Sequence, residues 1–197
     1  MRFRRRYVIV GGRIIAVGAI AATGLAGCGN SPSTSSTPSA EAQSAASGDI
    51  PDNQVFLTFH DRPAGFSMQY LEGWAQRGNG SNVTFQDKDN TIHVTVTNDA
   101  APTVSSVTSD LAKLASADPS LSTGTPQRVM IGGAPVIKVT YTNESAPDPV
   151  TGKQLTIMVD RYVYGQGGKV ATLDLGTPQG VDNVDAFRMI SESFKWL

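Results

Sequence analysis

From residue 50 onward the chain reads mainly as strands. Residues 66–70 alternate and stop at the turn Glu72-Gly73-Trp74. Residues 83–85 form a short strand closed by the polar turn Asp87-Lys88-Asp89-Asn90. Residues 92–97 then alternate with Ile92, Val94 and Val96 on one face, completing a hairpin. The pattern next changes period. Val104, Val107, Leu111 and Leu114 lie at helical spacing, which predicts a helix from about Thr103 that stops before Asp118-Pro119, because the residue ahead of a proline avoids the helical region. Strands resume at 127–131, turn at Gly132-Gly133, and continue over 134–142 with Ile137, Val139 and Tyr141 on one face. A Pro-, Asp- and Gly-rich loop over 143–152 follows. Long strands over 154–164 and 169–175 are joined by Gly165-Gln166-Gly167-Gly168. A second helix is expected over 182–195, with Val184, Phe187, Ile190 and Phe194 as its apolar stripe and Asp182 and Asp185 suiting its N-terminal dipole. Strands, helix, strands, helix predict an α+β domain with an antiparallel sheet.

The last hairpin can be registered from its glycines. With Gly165 opposite Gly168, Tyr164 faces Lys169, Arg161 faces Thr172, and Arg161 lies diagonal to Asp174 on one face. The other face carries Met158, Asp160, Tyr162 and Tyr164 beside Ala171, Leu173 and Leu175. Both faces mix apolar and polar residues, so the sheet is expected to be at least partly covered on both sides.

The first 49 residues have no such periodicity. Arg2, Arg4, Arg5 and Arg6 precede apolar stretches at 7–10 and 14–22, broken by Gly11, Gly12 and Arg13. Neither stretch reaches the roughly 18–20 uninterrupted apolar residues of a spanning helix. This is the pattern of an export signal. It ends in Leu25-Ala26-Gly27-Cys28, which holds the chain's one cysteine. That tetrapeptide resembles the lipobox of bacterial lipoproteins. The resemblance implies cleavage after residue 27, a diacylglyceryl group on the Cys28 thiol, and a location on the outer side of the cytoplasmic membrane. Two acyl chains give stable anchoring where one is marginal, at about 0.8 kcal/mol per buried CH₂. Arg5-Arg6 fits either the general or the twin-arginine export route. Residues 28–49 are almost entirely Ser, Thr, Ala, Pro and Gly, too poor in apolar groups to offset their ordering entropy, and so read as a tether. Its Ser/Thr/Pro content also suits O-glycosylation. The domain organisation is therefore a signal over 1–27, a lipidated tether over 28–49 and a folded domain over 50–197.

Charge changes meaning once the signal is set aside. The whole chain has net charge −1, but five of its 16 basic residues precede Cys28 and no acidic residue does. The remaining 11 basic and 17 acidic residues leave net charge −6, which argues against nucleic acid and against a polybasic contact with anionic lipid. A single cysteine rules out an intramolecular disulfide.

Candidate chemistry is sparse. His60 and His93, without a cysteine partner, do not suggest a zinc site. Asp87, Asp89 and Asn90 are spaced loosely like calcium ligands, but no bidentate Glu follows at loop distance, so a plain turn is the better reading. No Gly-x-Ser-x-Gly elbow, phosphate-cradling glycine loop or His-Glu-x-x-His motif is present. No cofactor is expected. Asp160 and Asp174 are carboxylates of the kind glycosidic chemistry uses, but the register sets them on opposite faces, and an Arg161–Asp174 pair explains Asp174 better. Trp74, Tyr162 and Tyr164, with Tyr70 and Trp196, are aromatics that could line a cleft for an acyl chain, a sugar or a partner, or else fill the core.

The layout resembles actinobacterial lipoproteins of the LpqN type, which share the PsbP-like fold. The residues that carry the resemblance are the stretch from Phe66 to Trp74, the strand–turn–strand Val129-Met130-Ile131-Gly132-Gly133-Ala134-Pro135-Val136, the terminal Ser191-Glu192-Ser193-Phe194, and the lipobox with its tether. Leu71 stands where that group usually has proline. The resemblance implies an antiparallel sheet packed against two or more helices, no catalytic residues, and a binding or assembly role in envelope glycolipid handling. Two other classes stay open on the residues alone: a small solute-binding lipoprotein of an importer, which the domain's length disfavours, and a hydrolase built on Asp160 or Asp174.

Overall fold

Alternation along the strands determines the architecture. In the computed structural model, which describes residues 48–197, each long central strand sends alternate side chains into two different interiors. The elements are β1 (Phe56–Asp61), β2 (Phe66–Leu71), β3 (Ala75–Asn79), β4 (Asn82–Asp87), β5 (Asn90–Asn98), α1 (Val104–Ala117), β6 (Ser122–Thr123), β7 (Gln127–Ile131), β8 (Ala134–Glu144), β9 (Thr156–Gln166), β10 (Lys169–Pro178), α2 (Val184–Ser193) and β11 (Lys195–Trp196). The expected signal segment, Cys28 and most of the tether lie outside the described residues.

The main sheet has the order β3-β4-β5-β10-β9-β8-β6, with β7 also pairing on β8, and its ladders are antiparallel. A smaller antiparallel sheet has the order β1-β2-β11. One face of the main sheet supplies Val83, Phe85, Ile92, Val94, Leu173 and Leu175, which pack with Phe66 and Met68 of the small sheet and with Phe187 and Ile190 of α2. The other face supplies Ile137, Val139, Tyr141, Val159 and Val163, which pack against Val107 and Leu111 of α1. Phe66 and Ile190 are wholly buried. Each such side chain contributes about 1.5–3 kcal/mol by leaving water. Cover on both faces, as the mixed patterns implied, is thus provided by α1 on one side and by α2 with the small sheet on the other.

Helix α1 begins where its period predicted. Thr103 caps it: its hydroxyl accepts from the Ser106 N–H at 3.0 Å, and Ser106 Oγ accepts from the Thr103 N–H at 3.0 Å. Glycine at 165 lets this end of the helix approach the sheet, because a Cβ there would collide with the Pro102 ring. Helix α2 is shorter than its stripe suggested. Val184 is 68% exposed, and Phe194 leaves the helix to stack on Phe66 and Tyr164. Extended backbone at Phe194 starts β11, whose Lys195 and Trp196 pair with Ser67 and Phe66.

The hairpin of β9 and β10 corrects one expectation. Its turn is the two-residue Gly167-Gly168, with φ of +58° and +78°. Positive φ at both positions is what a tight hairpin turn of matching twist requires, and glycine supplies it without strain. Gln166 therefore faces Lys169, Tyr164 faces Ala171, and Arg161 faces Asp174 directly. The pairing differs by two residues from the expected one, so every side chain keeps its predicted face.

The folded part is closed at its start by a buried amide cluster. Asn183 Nδ2 donates to Thr177 Oγ1 at 2.9 Å, to Gly48 O at 3.1 Å and to Asn90 Oδ1 at 3.2 Å, while its Oδ1 accepts from the Ile50 N–H at 2.8 Å. Asn90 also donates to Gly48 O, at 2.6 Å. The residue earlier weighed as a calcium-like ligand is therefore turned inward as a clamp. Replacing Asn183 with Ala strands the buried Asn90 and Thr177 groups, and urea denaturation should show a loss of about 2–3 kcal/mol; a loss below about 0.5 kcal/mol would mean that the clamp contributes little.

Candidate functional site

Direct opposition of Arg161 and Asp174 builds a polar centre on the α1 face of the main sheet. Arg161 Nε donates to Asp174 Oδ1 at 2.7 Å and Nη2 donates to Oδ2 at 2.6 Å, a two-pronged pairing that fixes both planes. The side chains are 12% and 13% exposed. The guanidinium lies over the Tyr141 ring, 5.2 Å from its centroid, and the Tyr141 hydroxyl donates to Asp174 Oδ2 at 3.4 Å. Burial and then the charge of Asp174 push the Tyr141 phenol up to about 12. Burial works against the charge on Arg161, but the hydrogen bond and charge of Asp174 outweigh it and hold the guanidinium above its ordinary value.

Helix α1 covers only part of this face, and a cavity opens on either side of the pair. One, of 410 Å³, runs under the start of α1 and is lined by Thr97, Thr103, Ser106, Thr172 and Arg161 with Val163 and Val170 among its apolar walls. The other, of 360 Å³, is lined by Thr91, His93, Tyr141, Asn143 and Asp174 with Ile157 and Val159. His93 Nε2 lies 3.1 Å from Asn82 Oδ1. The surface offers many hydroxyls around a fixed ion pair, an arrangement suited to holding a polar ligand. Asp160 is on the opposite face, where it accepts from Thr140 Oγ1 at 2.6 Å and pairs with Lys138 Nζ at 2.9 Å. The two carboxylates do not converge, as the face assignment required. Among the described residues, no group of three His, Cys, Asp or Glu side chains is placed to hold a metal ion.

The aromatics singled out as contact residues do not share a surface. Tyr162 is buried; its hydroxyl donates to Asp160 Oδ2 at 3.4 Å, and Lys138 Nζ lies 5.1 Å from its ring centroid. Trp74 belongs to the interior cluster that contains Phe85 and Leu173. Tyr164 is also buried. Its hydroxyl donates to Ser191 O at 2.8 Å, its ring stacks on Phe194 at 4.3 Å, and burial raises its phenol well above the ordinary range. It reaches one 350 Å³ cavity together with Pro135, Phe194 and Trp196. Two of the three are thus interior packing, and the third borders a separate hollow. In the sequence Tyr141 is one of an apolar stripe with Ile137 and Val139. Its place over Arg161 depends on the neighbouring order β8-β9-β10, which strand periodicity does not encode.

No family model matches the chain, and no curated protein matches it. Among solved structures, the solution structure of cyanobacterial PsbP (CyanoP) from Synechocystis sp. PCC 6803 superposes with a TM-score of 0.52 at 17% identity, over 76% of this chain and 98% of that one. The fold is PsbP-like. A crystal structure from Bacteroides thetaiotaomicron VPI-5482 superposes with a TM-score of 0.49 at 15% identity, over 71% of this chain and 48% of that one, so this chain spans about half its length. At 17% identity the likeness to the cyanobacterial protein is one of fold.

Two outcomes follow from the polar centre. Asp174→Asn leaves a nearly buried guanidinium without its counter-charge and should cost about 3 kcal/mol in urea denaturation, whereas the double change Arg161→Met with Asp174→Leu should cost much less. Equal losses in the two would mean that packing, not the stranded charge, sets the cost. Tyr141 and Tyr164 both carry phenols raised by folding, so their contribution is complete below about pH 10, the unfolded value, and is lost as pH rises through their folded values. Stability measured against pH should fall from about pH 10 upward at up to about 1.4 kcal/mol per pH unit per tyrosine. Tyr141→Phe should make that fall shallower; an unchanged slope contradicts the assignment.

Proposed function

We propose that the protein is a membrane-anchored lipoprotein, similar to the LpqN type, that acts on the outer side of the cytoplasmic membrane as a non-enzymatic binding or assembly factor. Its partner is an envelope protein or an amphipathic glycolipid. The observation that carries this reading is the complete Leu25-Ala26-Gly27-Cys28 motif, placed between an arginine-led apolar segment and a Ser/Thr/Pro-rich stretch that leads into a PsbP-like domain. The acidic balance of the residues after Cys28 supports a role away from nucleic acid.

Mechanically, the acyl chains hold the protein to the bilayer and the tether sets its search radius. A tether of about 20 residues of this Ser/Thr/Pro-rich composition would reach roughly 25 Å on average, from about 5–6 Å × √n. The search ends at a defined point, because the chain enters the domain under the Asn90–Asn183 clamp at Gly48. Beyond that point the domain offers binding geometry, with hydroxyl-lined cavities around a locked ion pair.

Metabolic labelling with a fatty acid, followed by detergent phase partition, tests the anchor. The wild-type chain should carry label and enter the detergent phase, and Cys28→Ala should be unlabelled and leave it. An unlabelled wild-type chain contradicts the reading. Crosslinking in the native membrane tests the role: a specific envelope protein or extractable glycolipid should be recovered, and unchanged envelope lipids on deletion together with no crosslinked partner would count against a binding function.

A further inference from the structure

The small sheet has an edge that nothing among the described residues covers. Among the described residues, strand β1 pairs with β2 alone. Val55 O accepts from the Glu72 N–H at 2.9 Å, and Gln69, on the far edge of β2, donates its N–H to Ser193 Oγ at 2.7 Å. Because backbone groups alternate across an antiparallel ladder, Leu57 and Phe59 turn theirs toward β2. Phe56, Thr58 and His60 turn theirs outward.

Other edges of the fold are guarded and this one is not. Proteins protect exposed edges with charge, proline or brevity. β3 carries Arg77, β7 carries Arg128, and β6 is two residues long. Residues 55–60 read Val-Phe-Leu-Thr-Phe-His, with neither charge nor proline. The strand's one charged residue, Asp61, is buried with its carboxylate accepting from the Ala64 and Gly80 N–H groups, so it does not guard the edge. Val55 is 50% exposed and Leu57 37%. Such a row of β-formers with free backbone groups is a template for one more strand.

We infer that β1 is a docking edge for an extended segment of a partner protein that alternates apolar with basic residues, added as a fourth strand to the small sheet. This rests on reading the domain as a binding module and names the partner's chemistry. The alternation follows from the two faces. Side chains on one face of the added strand would extend the apolar shelf of Val55, Leu57 and Phe59. Those on the other would sit over the 310 Å³ hollow where Phe56 meets Asp52, Asp182 and Asp185 at the start of α2. Asp185 has Arg188 at 3.1 Å, while Asp52 and Asp182 have no ion pair among the described residues. Charge decides the occupant: acidic residues outnumber basic ones 15 to 11 over residues 50–197, so this domain favours a basic segment and repels a second copy of itself.

The test uses the full chain in detergent and a fluorescent ten-residue peptide of alternating Val and Lys, with an alternating Val and Glu peptide as control. The Lys peptide should bind and the Glu peptide should bind far more weakly. Thr58→Pro removes an outward N–H while sparing the ladder to β2. With an unfolding transition like that of the wild type, it should lose about tenfold in affinity, and Asp52→Asn with Asp182→Asn should weaken binding and flatten its salt dependence. In the wild type, amide exchange at Phe56, Thr58 and His60 should slow on binding, a readout that holds even where the proline variant fails to fold. No binding, equal binding to a folded Thr58→Pro chain, or unchanged exchange at these amides overturns the inference. So does a dimer of the chain that Thr58→Pro dissolves, which would give the edge to a second copy. None of these readouts involves Cys28, so their failure leaves the anchor standing.

Discussion

Strand parity in the central hairpin is the constraint on which the rest of the structure depends. β9 and β10 lie in the middle of the main sheet, and both of their faces are buried under different elements. Tyr162, Tyr164, Leu173 and Leu175 must face α2 and the small sheet; Val159 and Val163 must face α1. A slip of one residue between β9 and β10 would turn over one strand's set, separating Arg161 from Asp174 and placing one of the two charges unpaired in the larger apolar interior, at a cost of several kcal/mol. The Gly167-Gly168 turn prevents that slip locally, and the two-pronged Arg161–Asp174 pairing marks the correct register across the sheet.

This explains what was legible in the sequence and what was not. Period-two and helical patterns located β2, β4, β5, β8 and α1, and glycine turns bounded β7, β9 and β10, strands that carry apolar residues on both faces. The hairpin register came out two residues away, since four consecutive turn-forming residues allow two positions for the turn; parity survived, and with it the separation of Asp160 from Asp174. Parts of the chain whose structure is set by tertiary contact were hidden. β3 has five exposed residues and no apolar face to announce it. Phe194 and Lys195 continue the expected helix in sequence, yet Phe194 is extended and β2 draws Lys195 and Trp196 into a strand. The polar centre was half visible: Arg161 and Asp174 share a hairpin, whereas Tyr141 joins them from β8 only through the sheet order.

The proposed role uses the same architecture. A double-faced sheet with partial cover leaves hydroxyl-lined hollows on one side, while the small sheet leaves an unguarded edge on the other. Neither feature is required for the core, whose largest side chains are sealed elsewhere. The amide clamp ties Gly48 to the α2 side of the fold, so a chain arriving from a membrane anchor would meet the domain beside β1 and the start of α2. In this account Cys28 sets the location, the tether sets the reach and the domain's exposed edge and hollows set the selection of partner.

The central claim is that this domain works from a lipid anchor. Intact mass measurement of the protein purified from its native membrane is the most direct test. The account predicts a chain that begins at Cys28 and carries the added mass of a diacylglyceryl group. A chain retaining residues before Cys28, or one starting there with an unmodified thiol, would contradict it.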